Sequence, residues 1–332
     1  MVLATDQGTA SYGVTIPAGA YDIGGRGGLY FPGTALVGQL IRDGALSEGE
    51  AAATEAYFVA NGATAGYGSV TDFTEFWRGW AEITSFPLLD TSAGTNFRFA
   101  WLGCTGLTSF PLIDTSSGTN FEFAWLGCTS LTSFPLLDTS EGTNFINAWL
   151  NCTSLTSFPM IDTSSGTNFY SAWYNCSSLT SFPLLDTSSG TNFYAAWYGC
   201  TGLTSFPLID TSSGASFLNA WYGCTGLTSF PLIDTSSGTN FSLAWYGCTG
   251  LTSFPANAFD SINGGNFTDA FTNTALTQTS IDNILVSLVA SGIAAGTRVF
   301  DQSGGSAPSS TGEAAITTLR SRGWTVTVTG GY

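Results

Sequence analysis

The chain has 332 residues, of which only 9 % are charged, with a net charge of −16 and seven basic residues, all of them arginine; lysine and histidine are absent. This composition excludes a basic nucleic-acid footprint, and it removes imidazole general bases, lysine Schiff bases and histidine-ligated metals. No run approaches the roughly 20 apolar residues of a membrane span, so neither nucleic acid nor membrane insertion is expected.

Residues 1–66 are non-repetitive and are expected to form an anchoring or capping module. The opening MVLATDQGTASYGVTIPAGAY lacks a basic stretch followed by an apolar core, so a secretory signal is not expected. Residues 1–33 are glycine-rich with short β-like stretches. Thr34–Arg42 and Ser47–Asn61 read as two helices, the second opened by Ser47 with Glu50 three residues on, a capping-box pattern.

Residues 67–276 carry a strict 24-residue period, the mark of a solenoid. Tryptophan recurs at Trp101, Trp125, Trp149, Trp173, Trp197, Trp221 and Trp245. Cysteine follows three residues after each, at Cys104, Cys128, Cys152, Cys176, Cys200, Cys224 and Cys248. One unit reads TNFRFAWLGCTGLTSFPLIDTSSG. Phe97, Ala100, Trp101 and Cys104 fall at i, i+3, i+4 and i+7, which predicts one buried face of a short helix with Thr95 or Asn96 as its cap. Leu107, Phe110 and Leu112 follow in an L-x-x-L-x-L pattern that predicts a strand. Pro111 cannot donate to a ladder, so that strand is expected to be very short. The DTSSGT that follows supplies a turn. Each unit therefore reads helix, strand, turn, and the array reads as an α/β solenoid with frayed capping units at both ends.

The last 56 residues, 277–332, are expected to close the array as an α/β cap. They read as a helix over Ser280–Ser291, a strand over Thr297–Asp301, a second helix over Thr311–Arg322 and a strand over Trp324–Thr329.

The motif F-x-x-A-W-x-G-C-T-S-L-T-S-F-P-x-I-D-T-S resembles the leucine-rich repeats of BspA-like bacterial surface proteins, over roughly two thirds of the chain. The resemblance implies a leucine-rich-repeat-like solenoid and leaves function open, since repeat scaffolds host many binding roles. Trp stands where that family usually has Phe. The ending SIDNILVSLVASG…GWTVTVTGG resembles C-terminal segments of tailed-phage virion proteins.

Several side-chain rows carry functional alternatives. The cysteines share the inward face with Phe, Ala and Trp, which suits buried thiols acting as small hydrophobes. A line of thiols suits neither a disulfide dihedral nor a four-ligand zinc site. An aspartate row that includes Asp114, Asp138, Asp162, Asp186 and Asp210 suits Asx-type turns, with Ca²⁺ as the alternative and one carboxylate per unit to hold it. No other cofactor is implied. Thr108, Ser109 and their copies are expected on the concave strand face, at most one of the pair in a flat row, where hydroxyls could contact glycans or ordered water.

The outward side of the predicted helices is apolar where a surface helix should be polar. It carries Phe99 and Phe123, then Leu102, Leu126 and Leu150, then Tyr174, Tyr198, Tyr222 and Tyr246. Such a stripe marks an interface with another protein, a ligand groove, or a surface covered within the chain. These features point to a non-enzymatic structural or adhesive protein of a virion, as a tail-fibre or decoration component, or of a cell surface. Its expected partners are itself or another surface protein through the stripe. The alternative is a host glycan or receptor met by the tyrosine row, whose rings are suited to sugars. The aspartates form a uniform ladder with no asymmetric pair, so catalysis is not expected.

Overall fold

A computed structural model describes residues 70–86, 89–262, 264–293 and 298–331. The expectations for residues 1–66 lie outside the described residues.

The repeats stack as parallel coils, each residue lying beside its copy 24 positions on. A continuous line of parallel bridges runs from Asp72↔Asn96 through Asn120↔Asn144 and Asn168↔Asn192 to Asn240↔Asn266. The expected helix is absent. The segment Phe97–Gly103 is a run of turns, because alternate backbone N–H groups donate out of the coil instead of four residues back. The N–H groups of Phe97, Phe99, Trp101 and Gly103 donate to the carbonyls of Asn120, Glu122, Ala124 and Leu126 in the next coil, at 2.7–3.0 Å. The N–H groups of the intervening Ala100 and Leu102 close four-residue turns onto the carbonyls of Phe97 and Phe99. A helix would consume all these donors internally. Stacking takes half of them for the neighbour, and every coil offers the same acceptors.

That arrangement requires left-handed backbone at two places per coil. Phe99 and its copies, from Glu75 (φ 58°) to Leu243 (φ 57°), adopt it whatever their side chain. The strain is on the order of 1–2 kcal/mol per residue, offset by the inter-coil bond from the same N–H. The second place is Gly103 (φ 75°) and Gly127 (φ 74°), occupied in two copies by Asn151 (φ 61°) and Asn175 (φ 58°). Asparagine tolerates this conformation and β-branched residues do not. Gly127→Asn should therefore leave the urea midpoint nearly unchanged, whereas Gly127→Val should cost about 1–2 kcal/mol or more. Equal midpoints for the two variants would show that the backbone there relaxes.

The core consists of continuous columns of like rings. Phe97 and its copies stack at 5.0–5.5 Å from Phe73 to Phe267. The tryptophans stack at 5.1–5.6 Å from Trp77 to Trp245, and Phe271 continues the column. Phe110 and its copies stand edge-on to the indoles, for example 4.8 Å from Trp101. Trp101 through Trp245 are all 0 % exposed, as are the seven cysteines. Leu107 lies in this core, but Leu112 does not. The N–H of Ile113 bonds back to the Pro111 carbonyl at 3.0 Å. That tight turn sends Ile113 inward and leaves Leu112 in solvent.

Strand pairing around Ser109 is reduced to single bridges, Ser85↔Ser109, Ser133↔Ser157 and Ser229↔Ser253. The array bends for a related reason. Neighbouring coils are 4.4–4.8 Å apart along the tyrosine row, but 5.4–6.2 Å apart along the Phe110 column. Backbone bonds follow the same trend, 2.6–2.9 Å at the Gly103 position and 2.9–3.4 Å at the Thr108 position. The concave side is thus the turn segment carrying Leu102 and the tyrosines, and the Thr-Ser segment expected there lies on the wider-spaced side. Thr108 and Ser109 are both exposed, because a single bridging residue does not impose strand alternation.

At the C-terminal end the coil geometry passes into regular structure. Strand β1, Phe267–Phe271, lies where the next turn segment would be and accepts the N–H groups of Leu243 and Trp245. Helix α1 (Gln278–Ala290), strand β2 (Arg298–Gln302), helix α2 (Ser310–Ser321) and strand β3 (Trp324–Thr327) follow. The strands form one parallel sheet in the order β1-β2-β3. Thr277 and Ser309 cap the two helices through their hydroxyls. Ser309 is also held by Asp282 of α1, which ties the two helices together.

Candidate binding surface

The expected outward stripe exists as two side-chain ladders on the turn segment. Phe99 stacks on Phe123 at 4.7 Å. Tyr174, Tyr198, Tyr222 and Tyr246 stack face to face at 4.4–4.8 Å with interplanar angles of 4–12°. The residues at these positions are half-buried or buried: Leu102, Leu126, Leu150 and the four tyrosines are half-buried, while Asn147, Ser171 and Ala195 are buried. Each inner tyrosine ring has its faces covered by its neighbours. What remains for a partner is a row of ring edges and phenol hydroxyls. Asn273, just after β1, donates to the Tyr246 hydroxyl at 3.3 Å and finishes the row. Burial, the first cause, raises the Tyr198 and Tyr222 pKa values; repulsion from neighbouring phenols adds to it, while at Tyr198 the hydrogen bond with Tyr222 acts in the opposite direction.

A second tyrosine pair was not singled out from the sequence. Tyr170 and Tyr194, one position after the core Phe, stack at 4.6 Å and 5°. Their signal was available in the comparison between copies. Across the units, changes of chemical class concentrate at the positions of Arg98, Phe99 and Leu102, while the rest of the coil is nearly constant. Position 98 runs Arg98, Glu122, Ile146, Tyr170, Tyr194, Leu218, Ser242. The helix assumption hid this row, because it counted positions 99 and 102 as the outward face.

This side changes character along the array. Its early coils carry charge and aromatic rings: Arg98 pairs with Glu122 at 3.1 Å and lies 4.4 Å over the Phe99 ring, and Arg78 pairs with Glu75 at 2.7 Å. From Tyr170 to Tyr246 it carries no formal charge: the tyrosines, Leu218, Asn219 and Leu243 reach its surface, while Ser171, Ala195 and Ser242 are buried.

The aspartate row forms turns. Oδ1 of Asp114 accepts from the Ser116 N–H at 3.0 Å and from the Ser116 hydroxyl at 2.7 Å, and Asp138, Asp162, Asp186 and Asp210 repeat both bonds. These bonds hold the Asp114, Asp162 and Asp210 carboxyls below the usual range. Among the described residues no three His, Cys, Asp or Glu side chains come together as a metal set. The thiols are not bonded to one another; each donates to a tryptophan carbonyl, as Cys152 Sγ does to Trp125 at 3.2 Å.

Apart from Tyr170 on this side and Val286 in α1, the large exposed apolar side chains among the described residues lie elsewhere. Leu112, Leu136, Met160, Leu184, Leu208 and Leu232 form a line along the array, each 50–64 % exposed.

Columns of identical rings, coil-to-coil backbone bonding and one side of variable residues define a solenoid repeat protein. No family model matches the chain, and no curated protein matches it. Among solved structures it is similar to an internalin (inlF) of Listeria monocytogenes, at 12 % identity and a TM-score of 0.23, covering 76 % of this chain and 88 % of that one. Likeness at that level carries no argument about fold or role. Among the described residues no helix is long and apolar enough to cross a membrane.

Proposed function

We propose that this chain is a non-enzymatic adhesive and structural protein of an extracellular surface or particle, which meets its partner through the concave tyrosine-bearing side. The observation that carries this reading is where the copies differ. Coils that are otherwise nearly identical vary in chemistry at positions 98, 99 and 102, on the concave side. A uniform scaffold with one variable side is the design of a binding solenoid, whose curvature makes an extended contact surface. The specific reading is a virion component, a tail fibre or decoration protein, that contacts a host glycan or receptor.

The stacking decides the mode of contact. Sugars cannot lie flat on rings already covered on both faces, so a partner meets ring edges, phenol hydroxyls and asparagine amides. Tyr198→Phe with Tyr222→Phe removes the hydroxyls and keeps the stack, and is expected to abolish binding to a glycan array or host-cell surface while leaving the thermal midpoint unchanged. Arg98→Ala, at the charged end of the same side, is expected to have a small effect. Unchanged binding by the double variant would remove the tyrosine side from the reading.

A further inference from the structure

We propose that the exposed leucine row is a self-association surface, on which a second copy of this chain docks side by side with its coils running in the same direction. Leu112, Leu136, Met160, Leu184, Leu208 and Leu232 are 50–64 % exposed, whereas their neighbours Ile113, Leu137, Ile161, Leu185, Ile209 and Ile233 are almost fully buried. Nothing within the coil demands an apolar side chain in the exposed row, yet every copy keeps one. Contiguous exposed apolar surface of this kind marks an interface.

Three features identify the occupant. The first is period. Coils are 5.4–6.2 Å apart along the adjacent Phe110 column. A partner that places an apolar group against every leucine must share that spacing, and a second copy does. The second is area. Six coils at the 5.4–6.2 Å spacing of the Phe110 column, by a strip from Thr108 to Asp114 that the turn after Pro111 shortens to roughly 15–20 Å, give on the order of 500–700 Å² per copy, somewhat under the ~800 Å² of a standard interface.

The third feature is charge, and it sets the direction. Across the strip, the exposed Ser109 row lies on one side of the leucines and the exposed Asp114 row on the other. A two-fold axis along the array, with both copies running the same way, sets each aspartate row against the partner's serine hydroxyls, which can donate to it. A two-fold axis across the array sets aspartate against aspartate along the whole length, and like charges at that distance repel. The same-direction pair is therefore the one the strip permits.

Single cysteines in the full-length chain test this directly, because the seven native thiols are buried and do not compete. Leu112→Cys and Leu232→Cys, each purified alone and oxidised, are expected to form disulfide-linked dimers of like with like. In the opposite orientation neither would link to itself, and a mixture of the two would give a 112–232 product, which would overturn the assigned direction. Light scattering of the unmodified chain at tens of micromolar is expected to give twice the 34.6 kDa chain mass. Met160→Asp with Leu184→Asp is expected to weaken that dimer at least tenfold with an unchanged circular-dichroism spectrum. A monomeric unmodified chain that links through neither cysteine overturns the proposal. Binding through the tyrosine side is read separately on the Asp variant, so failure of one reading leaves the other standing.

Discussion

Raising the pH from 7 to about 10 in the presence of a reductant is expected to unfold the array. Burial is the first cause that pushes the thiols of Cys104, Cys200 and Cys248 up to about 12, and it raises those of Cys128, Cys152, Cys176 and Cys224 as well. An unfolded thiol ionises near 8.5. A group whose folded pKa lies above its unfolded value contributes its stability in full below the unfolded pKa and loses it as pH rises toward the folded one. Above roughly pH 8.5, as long as the folded thiols stay protonated, each therefore costs about 1.4 kcal/mol per pH unit. Seven thiols acting together give a slope of about 10 kcal/mol per unit, comparable to the whole stability of an ordinary domain. Urea unfolding measured from pH 7 to 10.5 checks this. Replacing Cys152 and Cys176 with alanine should lower the slope by about two sevenths. A midpoint that is flat across pH 9–10 would mean that the thiols are reached by solvent in the folded chain.

The second large effect is expected at Trp173. Its indole is stacked between Trp149 at 5.5 Å and Trp197 at 5.6 Å, with Phe182 edge-on at 4.8 Å. Trp173→Ala should cost about 3–5 kcal/mol through the cavity it opens in a column that cannot collapse. Trp173→Asp adds a buried, unpaired carboxylate and should break the array in the middle. Coils contact only their neighbours, so the damage should be local at first. Hydrogen exchange is expected to show lost protection in the coils flanking residue 173 before the C-terminal cap opens. Trp173→Phe should be much milder. The indole Nε1 has no hydrogen-bond partner to lose, and Phe271 already occupies the end of this column. Equal destabilisation by Phe and Asp would contradict the stacked-column description.

These predictions rest on features of unequal visibility in the sequence. Period, stacking and the inward Trp and Cys columns were legible because identical residues recurring every 24 positions must meet identical surroundings. The aspartate turn was legible because Asp followed two residues on by Ser has its partners within local reach. The four elements of the C-terminal cap were placed to within two residues, since ordinary helix and strand patterns govern there.

Other features were decided only by the tertiary structure. Phe97, Ala100, Trp101 and Cys104 have helical spacing, but their coil is not a helix. The stack competes for the N–H groups of Phe97, Phe99, Trp101 and Gly103, and that demand comes from a neighbour 24 residues away. No local pattern reports it, and the only trace in the sequence is Gly or Asn at the 103 position. The direction of bend was hidden for the same reason. It follows from unequal coil spacing on two sides, a sum of side-chain thicknesses across the whole section. The L-x-x-L-x-L pattern puts Leu112 in a strand and does not say which way its side chain points. The turn after Pro111 decides it, and one backbone bond sends Ile113 inward and leaves Leu112 in solvent. The sequence determined by itself that this protein is a stack of equal coils; which residues face outward, and which side curves, depended on hydrogen bonds that exist only once the coils have met.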